Sequence, residues 1–166
     1  MIVRATHKVL ESLKIKNSDK DTSTGAVSFM AEWFVNAFST GRKKHYIFTE
    51  SKTLYSIILD NHGIRTRKDF EHLATDVVFA LFKKHGDKLP ISLFENAGSQ
   101  IFILKTNNRR IVGSQNDLMH MAQAEYEYSD NYDYTKVNDN PLSFLDLATP
   151  EEMFMDQLDD LKNKSG

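Results

Sequence analysis

Hydrophobic positions along the chain follow two different spacings, and these spacings predict which segments form strands and which form helices. Short apolar or aromatic-rich runs bounded by turn residues are typical of strands, and five segments have this pattern: 2–4, 29–38, 42–49, 53–59 and 100–105. The turn residues Ser39-Thr40-Gly41 predict that the second and third segments form a β-hairpin. Four consecutive apolar residues, 101–104, predict that the last strand is central in its sheet.

Apolar residues three and four positions apart predict the helices. The clearest pattern begins after the N-cap residue Thr66 and ends at Gly86. Further helices are predicted at 7–14, 90–97, about 114–127 and, after the capping sequence Thr149-Pro150-Glu151-Glu152, from residue 150. Residues 17–25 and 128–140 are polar and are predicted as loops. The fold class predicted is α+β, with a mainly antiparallel sheet of about five strands and helices packed on one face.

Charge divides the chain into two parts. Its 166 residues fit one domain, but residues 129–166 contain nine acids and three bases, a net charge of −6, which leaves +4 on the remainder. We therefore predict an α+β domain at 1–128 and an acidic extension at 129–166 with a short amphipathic helix. That helix places Phe154, Leu158 and Leu161 on one stripe, which either docks on the body or receives a protein partner. A simply solvated tail is the alternative.

Composition excludes several classes of function. The absence of cysteine excludes disulfides, thiolate catalysis and cysteine-based metal sites. There is no apolar run of bilayer-spanning length and no signal-peptide pattern at the N-terminus, so we expect a soluble, cytoplasmic protein with no membrane partner. No His-x3-His pair occurs among the six histidines. We accordingly expect no metal and no cofactor, although Asp60 with His62 has the composition of half a metal site.

The segment 106–117 contains the strongest candidate chemistry. It runs from a strand end through a loop to a predicted helix start, where unpaired N–H groups and a partial positive charge favour anions. Arg109 and Arg110 add fixed positive charge, Gly113 allows a ligand to approach the backbone, and Ser114 and Asn116 offer hydrogen bonds. The structural alternative is that these residues only form the turn and cap the helix, with the arginines in water.

The two ends of the predicted domain also resemble a known family. The beginning of the chain has the pattern M-I-x-R-A-T-x-K, and residues 106–117 have T-x-x-R-x-[IV]-x-G-S-x-N-[DE]. Together with the segment around Trp33 and the run 53–56, these motifs resemble an uncharacterised bacterial family defined only as a domain of unknown function. The resemblance covers about residues 1–128. Arg110 and Gln115 depart from it, because the family pattern often has Ser and Met there. It implies a small intracellular bacterial protein and supplies no activity.

Both end motifs lie at predicted strand-to-helix corners, which suggests one shared site. If the first and last strands are neighbours, side chains from both corners form one cationic pocket. The predicted ligand-binding residues are Arg4, Thr6, Lys8, Arg109, Arg110, Gly113, Ser114 and Asn116. The leading hypothesis is a binding protein for an anionic ligand, either a nucleotide-like small molecule or nucleic acid.

Two other classes of function stay open. A protein-interaction module, such as one partner of a regulatory or toxin–antitoxin pair, would use the C-terminal helix. An enzyme acting on a phosphorylated or nucleic-acid substrate would need a titratable group beside the arginines, and His7 and Asp117 are nearest in sequence. A Ser or Thr nucleophile with His and Asp is recognised only by geometry, so no catalytic residue is assigned.

The basic cluster Arg42-Lys43-Lys44-His45 is the remaining motif. With nearby aromatic residues it has the composition of a nucleic-acid contact. We favour the alternative that these charges flank an apolar strand and prevent edge-to-edge association of sheets.

Overall fold

The computed structural model describes residues 1–16, 19–20, 28–89, 100–129 and 133–165. Their helices and strands are, in chain order, β1 (Ile2–Ala5), α1 (His7–Ser12), β2 (Glu32–Thr40), β3 (Lys43–Glu50), β4 (Ser56–Asp60), α2 (Arg67–His85), β5 (Phe102–Lys105), α3 (Arg109–Tyr128) and α4 (Pro150–Ser165). Short 3-10 helices occur at Gly86–Lys88, Tyr134–Asp139 and Ser143–Leu145. The helix predicted at 90–97 and most of the loop predicted at 17–25 lie outside the described residues.

The sheet confirms the α+β class with five strands, in the order β4-β3-β2-β1-β5. It is a mixed sheet and not antiparallel throughout. The meander β2-β3-β4 is antiparallel, as its short turns require, whereas β1 pairs in parallel with both β2 and β5. Strands β1, β2, β4 and β5 consequently run in the same direction, and β3 alone among the five runs against them.

Helices cover both faces of the sheet, so the prediction of helices on one face is wrong. Successive side chains of a strand point to opposite faces. In β2, Trp33 and Val35 join a core with α1, α2 and α4. The intervening Phe34 and the cross-strand residue Ile47 join a second core, which contains Leu118 of α3. Because seven of the nine positions of β2 are buried and successive side chains point to opposite faces, both faces of this strand must be covered.

Strand β5 lies at an edge of the sheet, although its apolar run predicted a central position. Its apolar residues are buried by elements packed on the two faces, and its outer backbone groups are paired with Asp19. The Asp19 carboxylate accepts the Ile103 N–H at 2.8 Å, and the Asp19 N–H donates to the Ile103 carbonyl at 2.9 Å. Arg67 holds this carboxylate through two hydrogen bonds of 2.7 and 3.1 Å and, with desolvation opposing it, keeps the Asp19 pKa low.

The opposite edge strand, β4, is covered by the chain after α3. The buried side-chain amide of Asn138 accepts the Ser56 N–H at 2.7 Å and donates to the Ser56 carbonyl at 2.8 Å, as a neighbouring strand would. Val137 and Leu142 bury their side chains beside α3 on one face of the sheet. The chain then passes to the other face as α4, so residues 133–165 lie against the body.

Helix α4 begins at the predicted capping box: the Thr149 hydroxyl accepts the Glu152 N–H at 3.1 Å, and the Glu152 carboxylate accepts the Thr149 N–H at 2.9 Å. Phe154 is fully buried, and its ring lies 4.3 Å from that of Tyr55 and 5.1 Å from that of His85. Burial raises the pKa of Tyr55 to about 12. Nearby, Lys84 Nζ forms an ion pair with Glu151 at 2.7 Å.

Among the described residues, no helix has the length and apolar character needed to cross a membrane. The predicted division at residue 128 stays a prediction about domains.

We expect Phe154→Ala to lower the free energy of unfolding by about 3–5 kcal/mol, because it removes a fully buried ring and leaves a cavity. Urea denaturation measures the loss. The control is Tyr128→Ala, since Tyr128 is 90 % exposed and its removal should change stability by no more than about 0.5 kcal/mol. Equal stability of Phe154→Ala and the wild type would contradict the docked position of α4.

Candidate functional site: the carboxyl edge of the sheet

Four strands end along one edge of the sheet, which therefore gathers polar side chains from distant parts of the sequence. Within this edge, β1 and β5 are adjacent and parallel, and the Thr106 N–H donates to the Ala5 carbonyl at 3.0 Å. The helix after β1 packs on one face of the sheet and the helix after β5 packs on the other. Such a reversal opens a crevice outside the carboxyl ends of the two strands, where α/β sheets bind ligands.

Three predicted site residues lie on this edge. The Thr6 hydroxyl donates to Asn36 Oδ1 at 3.2 Å, and Asn36 Nδ2 donates to Asn116 Oδ1 at 3.4 Å. Lys8 Nζ donates to the Ala37 carbonyl at 2.9 Å. The corners after β1 and β5 are therefore linked by hydrogen bonds through β2, as the shared-site hypothesis requires, while their role in binding stays a prediction.

The arginines take different positions from those predicted. Arg4 is buried and forms an ion pair with Glu32 below the edge. The Arg110 guanidinium lies over the Phe144 ring, 4.7 Å from its centroid, on the C-terminal extension. Arg109 is exposed at the first position of α3. The predicted cluster of three arginines around one ligand is thus spread over separate surroundings.

Helix α3 begins five residues before the predicted start at Ser114. Asn108 is its N-cap, and the Asn108 side-chain oxygen accepts the N–H groups of Arg110 and Ile111 at 3.0 and 3.2 Å. Gly113 and Ser114 are therefore in the second turn, where the N–H groups are already used by the helix. Ser114 is buried, and a Cβ at Gly113 would meet no atom within 4 Å.

A cleft of about 730 Å³ lies at the same edge, between α1, the β2–β3 hairpin and the loop between β4 and α2. Its basic lining residues come from all three elements: Lys8 from α1, Arg42, Lys43 and Lys44 from the hairpin, and Arg65 from the loop. Its apolar lining is formed by Ala37, Phe38, Tyr46 and Ile64. Among the described residues, Asp60 is the only carboxylate of the lining.

Four of these cations form no ion pair with a described residue. In the described part of the chain, no ion pair involves Arg42, Lys43, Lys44 or Arg65, whereas Arg4, Arg67 and Lys84 are each paired with a carboxylate. The β2–β3 turn holds Arg42 beside Gly41, whose φ of +56° is a conformation that favours glycine. Because β3 is interior in the sheet, protection of an exposed edge does not explain this cluster, and that interpretation is wrong.

Asp60 is itself held by a buried histidine. The His45 Nδ1–H donates to Asp60 Oδ1 at 2.7 Å, and the Thr40 hydroxyl donates to His45 Nε2 at 2.5 Å. Burial lowers the pKa of His45, with the hydrogen bond to Asp60 opposing that change. The imidazole is therefore neutral at pH 7.

This hydroxyl–imidazole–carboxylate array has the connectivity of a catalytic triad but not its accessibility. Thr40 is buried beside Tyr134, whose hydroxyl lies 3.4 Å from the Thr40 hydroxyl, and Thr40 does not line the cleft. A nucleophile must reach its substrate. The array consequently orients Asp60 at the wall of the cleft.

Of the remaining titratable candidates, His62 lies beside Asp60 at the cleft, whereas His7 and Asp117 do not line it. His7 and Asp117 are exposed, and His7 lies 3.9 Å from Glu11 of its own helix. His62 Nε2 is 3.9 Å from Asp60 Oδ2. Within the described ranges, no three His, Cys, Asp or Glu side chains come together in a metal-binding group.

A family model described as a domain of unknown function, DUF6933, matches residues 2–153 of the chain. The chain belongs to this family. No curated protein and no solved structure matches it. The resemblance predicted from the two end motifs is thereby confirmed.

The DUF6933 match extends beyond the predicted limit at residue 128. It includes Asn138, which covers the β4 edge, and reaches Met153, one residue before Phe154. The segment that wraps around the sheet thus belongs largely to the DUF6933 region. The family description supplies no activity, so the geometry of the carboxyl edge must carry the functional argument.

The sequence predicted some of the residues at this edge, but it did not predict that they line one cleft. Lys8 was a predicted site residue, and the 42–45 cluster was recognised as basic. Arg65 gave no signal because it reaches the cleft only through the position of β4 beside β3. The pairing of Asp60 with His45 was equally hidden, since cross-strand register cannot be read from composition.

We expect the stability of the DUF6933 protein to fall as the pH drops below about 6.5, the pKa of histidine in an unfolded chain. Burial lowers the native pKa of His45 and of His85, so between the unfolded and native values the unfolded chain binds protons more strongly. The lowered carboxylate pKa values act only below about pH 4. Urea midpoints at pH 7.5 and 5.5 measure the change.

His85→Gln should weaken this pH dependence, because Gln keeps a hydrogen-bonding group near Tyr55 and cannot titrate. The exposed His120 provides the matched control, since His120→Gln should leave the dependence unchanged. Identical wild-type midpoints at the two pH values would show that neither buried imidazole is linked to folding.

Proposed function

We propose that this protein binds an anionic, phosphate-bearing ligand in the cationic cleft at the carboxyl edge of its sheet. The observation that carries the proposal is the set of four cations, Arg42, Lys43, Lys44 and Arg65, that share one cleft and form no ion pair with any described residue. Like charges confined to one cavity repel each other, and a bound anion would relieve that repulsion.

The position of the cleft supports the same proposal. Its walls come from α1, the β2–β3 hairpin and the loop before α2, and it lies at the carboxyl edge of the sheet, where α/β sheets bind ligands. A volume of about 730 Å³ is in the range of small-molecule sites. Lys8 joins the cleft to the predicted corner, because it lines the cleft and follows Thr6 by two residues.

The two alternative functions have less support. The interaction module depended on an uncovered stripe on the C-terminal helix, but Phe154 and Leu158 are fully buried against the body. The enzyme needed a titratable group at the ligand: His45 has both ring nitrogens engaged, and His62, which also lines the cleft, lies beside Asp60 without an assigned nucleophile. Binding without an assigned reaction is therefore the proposal.

We expect the double variant K43A/K44A to weaken binding of inorganic triphosphate by about 25-fold. Each exposed charge near the ligand contributes roughly 1 kcal/mol in a water-like dielectric, or about fivefold in affinity. Isothermal titration calorimetry at low salt measures the change. The control is Lys52→Ala, an exposed lysine outside the cleft, which should bind as the wild type does. Loss of affinity in both variants, or in neither, would contradict the proposed site.

In contrast to the lysine variant, Asp60→Asn should strengthen the binding of inorganic triphosphate by about fivefold, because it removes a negative charge from the lining. The asparagine oxygen can still accept the His45 Nδ1–H, so the fold should be preserved. The same titration, with unfolding by urea as the check on stability, provides the measurement. Weaker binding by a stably folded Asp60→Asn protein would show that the anion does not lie beside this carboxylate.

A further inference from the structure

The lining of the cationic cleft contains both charged and apolar residues. This combination restricts the chemical class of the ligand more than the charge alone does. Lys8, Arg42, Lys43, Lys44 and Arg65 are the cations of the described lining, and Asp60 is the acid among them. Counting these groups with neutral histidines gives a net charge of about +4. A terminal phosphate carries about −1.5 to −2 at pH 7, so one phosphate balances at most half of this charge, and a chain of two or three balances most of it.

The apolar side of the lining requires a second part of the ligand. Ala37 and Ile64 remain partly exposed at the cleft and pack against the same core as the buried Tyr46. Tyr46 packs edge-on against Phe70 of α2, with ring centroids 5.6 Å apart. An inorganic polyphosphate has nothing to place on this apolar floor, whereas a flat ring buries apolar area there.

The rim supplies polar groups between the two surfaces. Ser39 and Asn61 line the cleft, and the Asn61 side-chain oxygen accepts the Ile64 N–H at 2.8 Å, which fixes the loop beside the floor. A sugar has the hydroxyl groups that such side chains bind. A ring, a sugar and a chain of phosphates are the three parts of a nucleoside polyphosphate.

The arrangement of the cations favours a compact ligand over a nucleic-acid strand. A strand is bound by charges that follow its backbone along a groove. Here the cations come from three separate elements and converge on a single cavity: α1, the β2–β3 hairpin and the loop before α2. Convergent charge of this kind suits phosphates clustered at one end of a small molecule.

We infer that the cleft binds a nucleoside di- or triphosphate, with its base on Ala37 and Ile64 and its phosphates against the hairpin lysines and Arg65. This inference rests on the proposed function of anion binding at the same cleft. It adds the chemical class of the ligand and a role for the apolar floor.

The test compares ligands on the wild-type protein by isothermal titration calorimetry, without divalent metal and at one ionic strength. The probes are the four common ribonucleoside triphosphates, inorganic triphosphate and a single-stranded oligonucleotide of ten nucleotides. We expect at least one nucleoside triphosphate to bind about tenfold more tightly than inorganic triphosphate and more tightly than the oligonucleotide. Equal affinity for inorganic triphosphate and all four nucleotides would overturn the inference and leave the proposed function standing.

Other outcomes separate the two proposals further. Tighter binding of the oligonucleotide would overturn the inference in favour of nucleic acid. Absence of binding to every probe would overturn both the inference and the proposed function. These ligand comparisons need no variant, so a folding defect cannot obscure them.

A variant of the floor provides the second measurement. Ile64→Ala should weaken the nucleotide about fivefold and leave inorganic triphosphate unchanged, because it removes apolar contact area and no charge. Leu147→Ala is the matched control, since Leu147 is a 72 % exposed apolar residue outside the cleft. An equal effect of Ile64→Ala on both ligands would overturn the position assigned to the base.

Discussion

Strand β1 hydrogen-bonds to a parallel strand on each side, and the arrangement of the carboxyl edge depends on this pairing. Its short apolar residues Val3 and Ala5 are fully buried, so they fit beneath α1 without displacing it. Parallel neighbours require crossover connections, such as the one through α1 between β1 and β2, and the helices that follow β1 and β5 lie on opposite faces of the sheet. The same constraint brings Thr6, Asn36 and Asn116 together from three distant parts of the sequence.

At each edge of the sheet, one residue from another part of the chain forms hydrogen bonds to the edge strand, as a neighbouring strand would. Asp19 pairs with Ile103 on β5, and Asn138 pairs with Ser56 on β4. An uncovered edge invites pairing with another chain, and an amide or carboxylate can satisfy only one residue of it. At β4, the chain after α3 also passes around the strand from one face of the sheet to the other. The DUF6933 match, which continues to residue 153, includes most of this segment.

Local signals in the sequence predicted local structure well. The capping residues Thr66 and Thr149 and the turn at Gly41 each act within four residues, and the elements that they begin or join are present. Strand order, the covering of both faces and the edge position of β5 depend on contacts across the chain, which periodicity does not record. The hydrogen bonds of the buried Glu50 also could not be predicted from the sequence. Its carboxylate accepts the N–H groups of Met30 and Thr53, and no sequence motif indicates this contact.

Contacts between distant parts of the chain also explain why the cleft is positively charged. The whole chain has a formal net charge of −2, so cations are not in excess. Several of its acids are used elsewhere: Asp69 and Glu152 complete capping boxes, Asp133 accepts the Thr135 N–H, and Asp19 and Glu151 are paired. Hydrogen bonds donated to these carboxylates lower the pKa of Asp69, Asp133 and Glu152, because such bonds favour the ionised form. In the described part of the chain none of these acids forms an ion pair with the hairpin lysines or Arg65, and under our proposal a bound anion balances the charge that Asp60 leaves uncompensated.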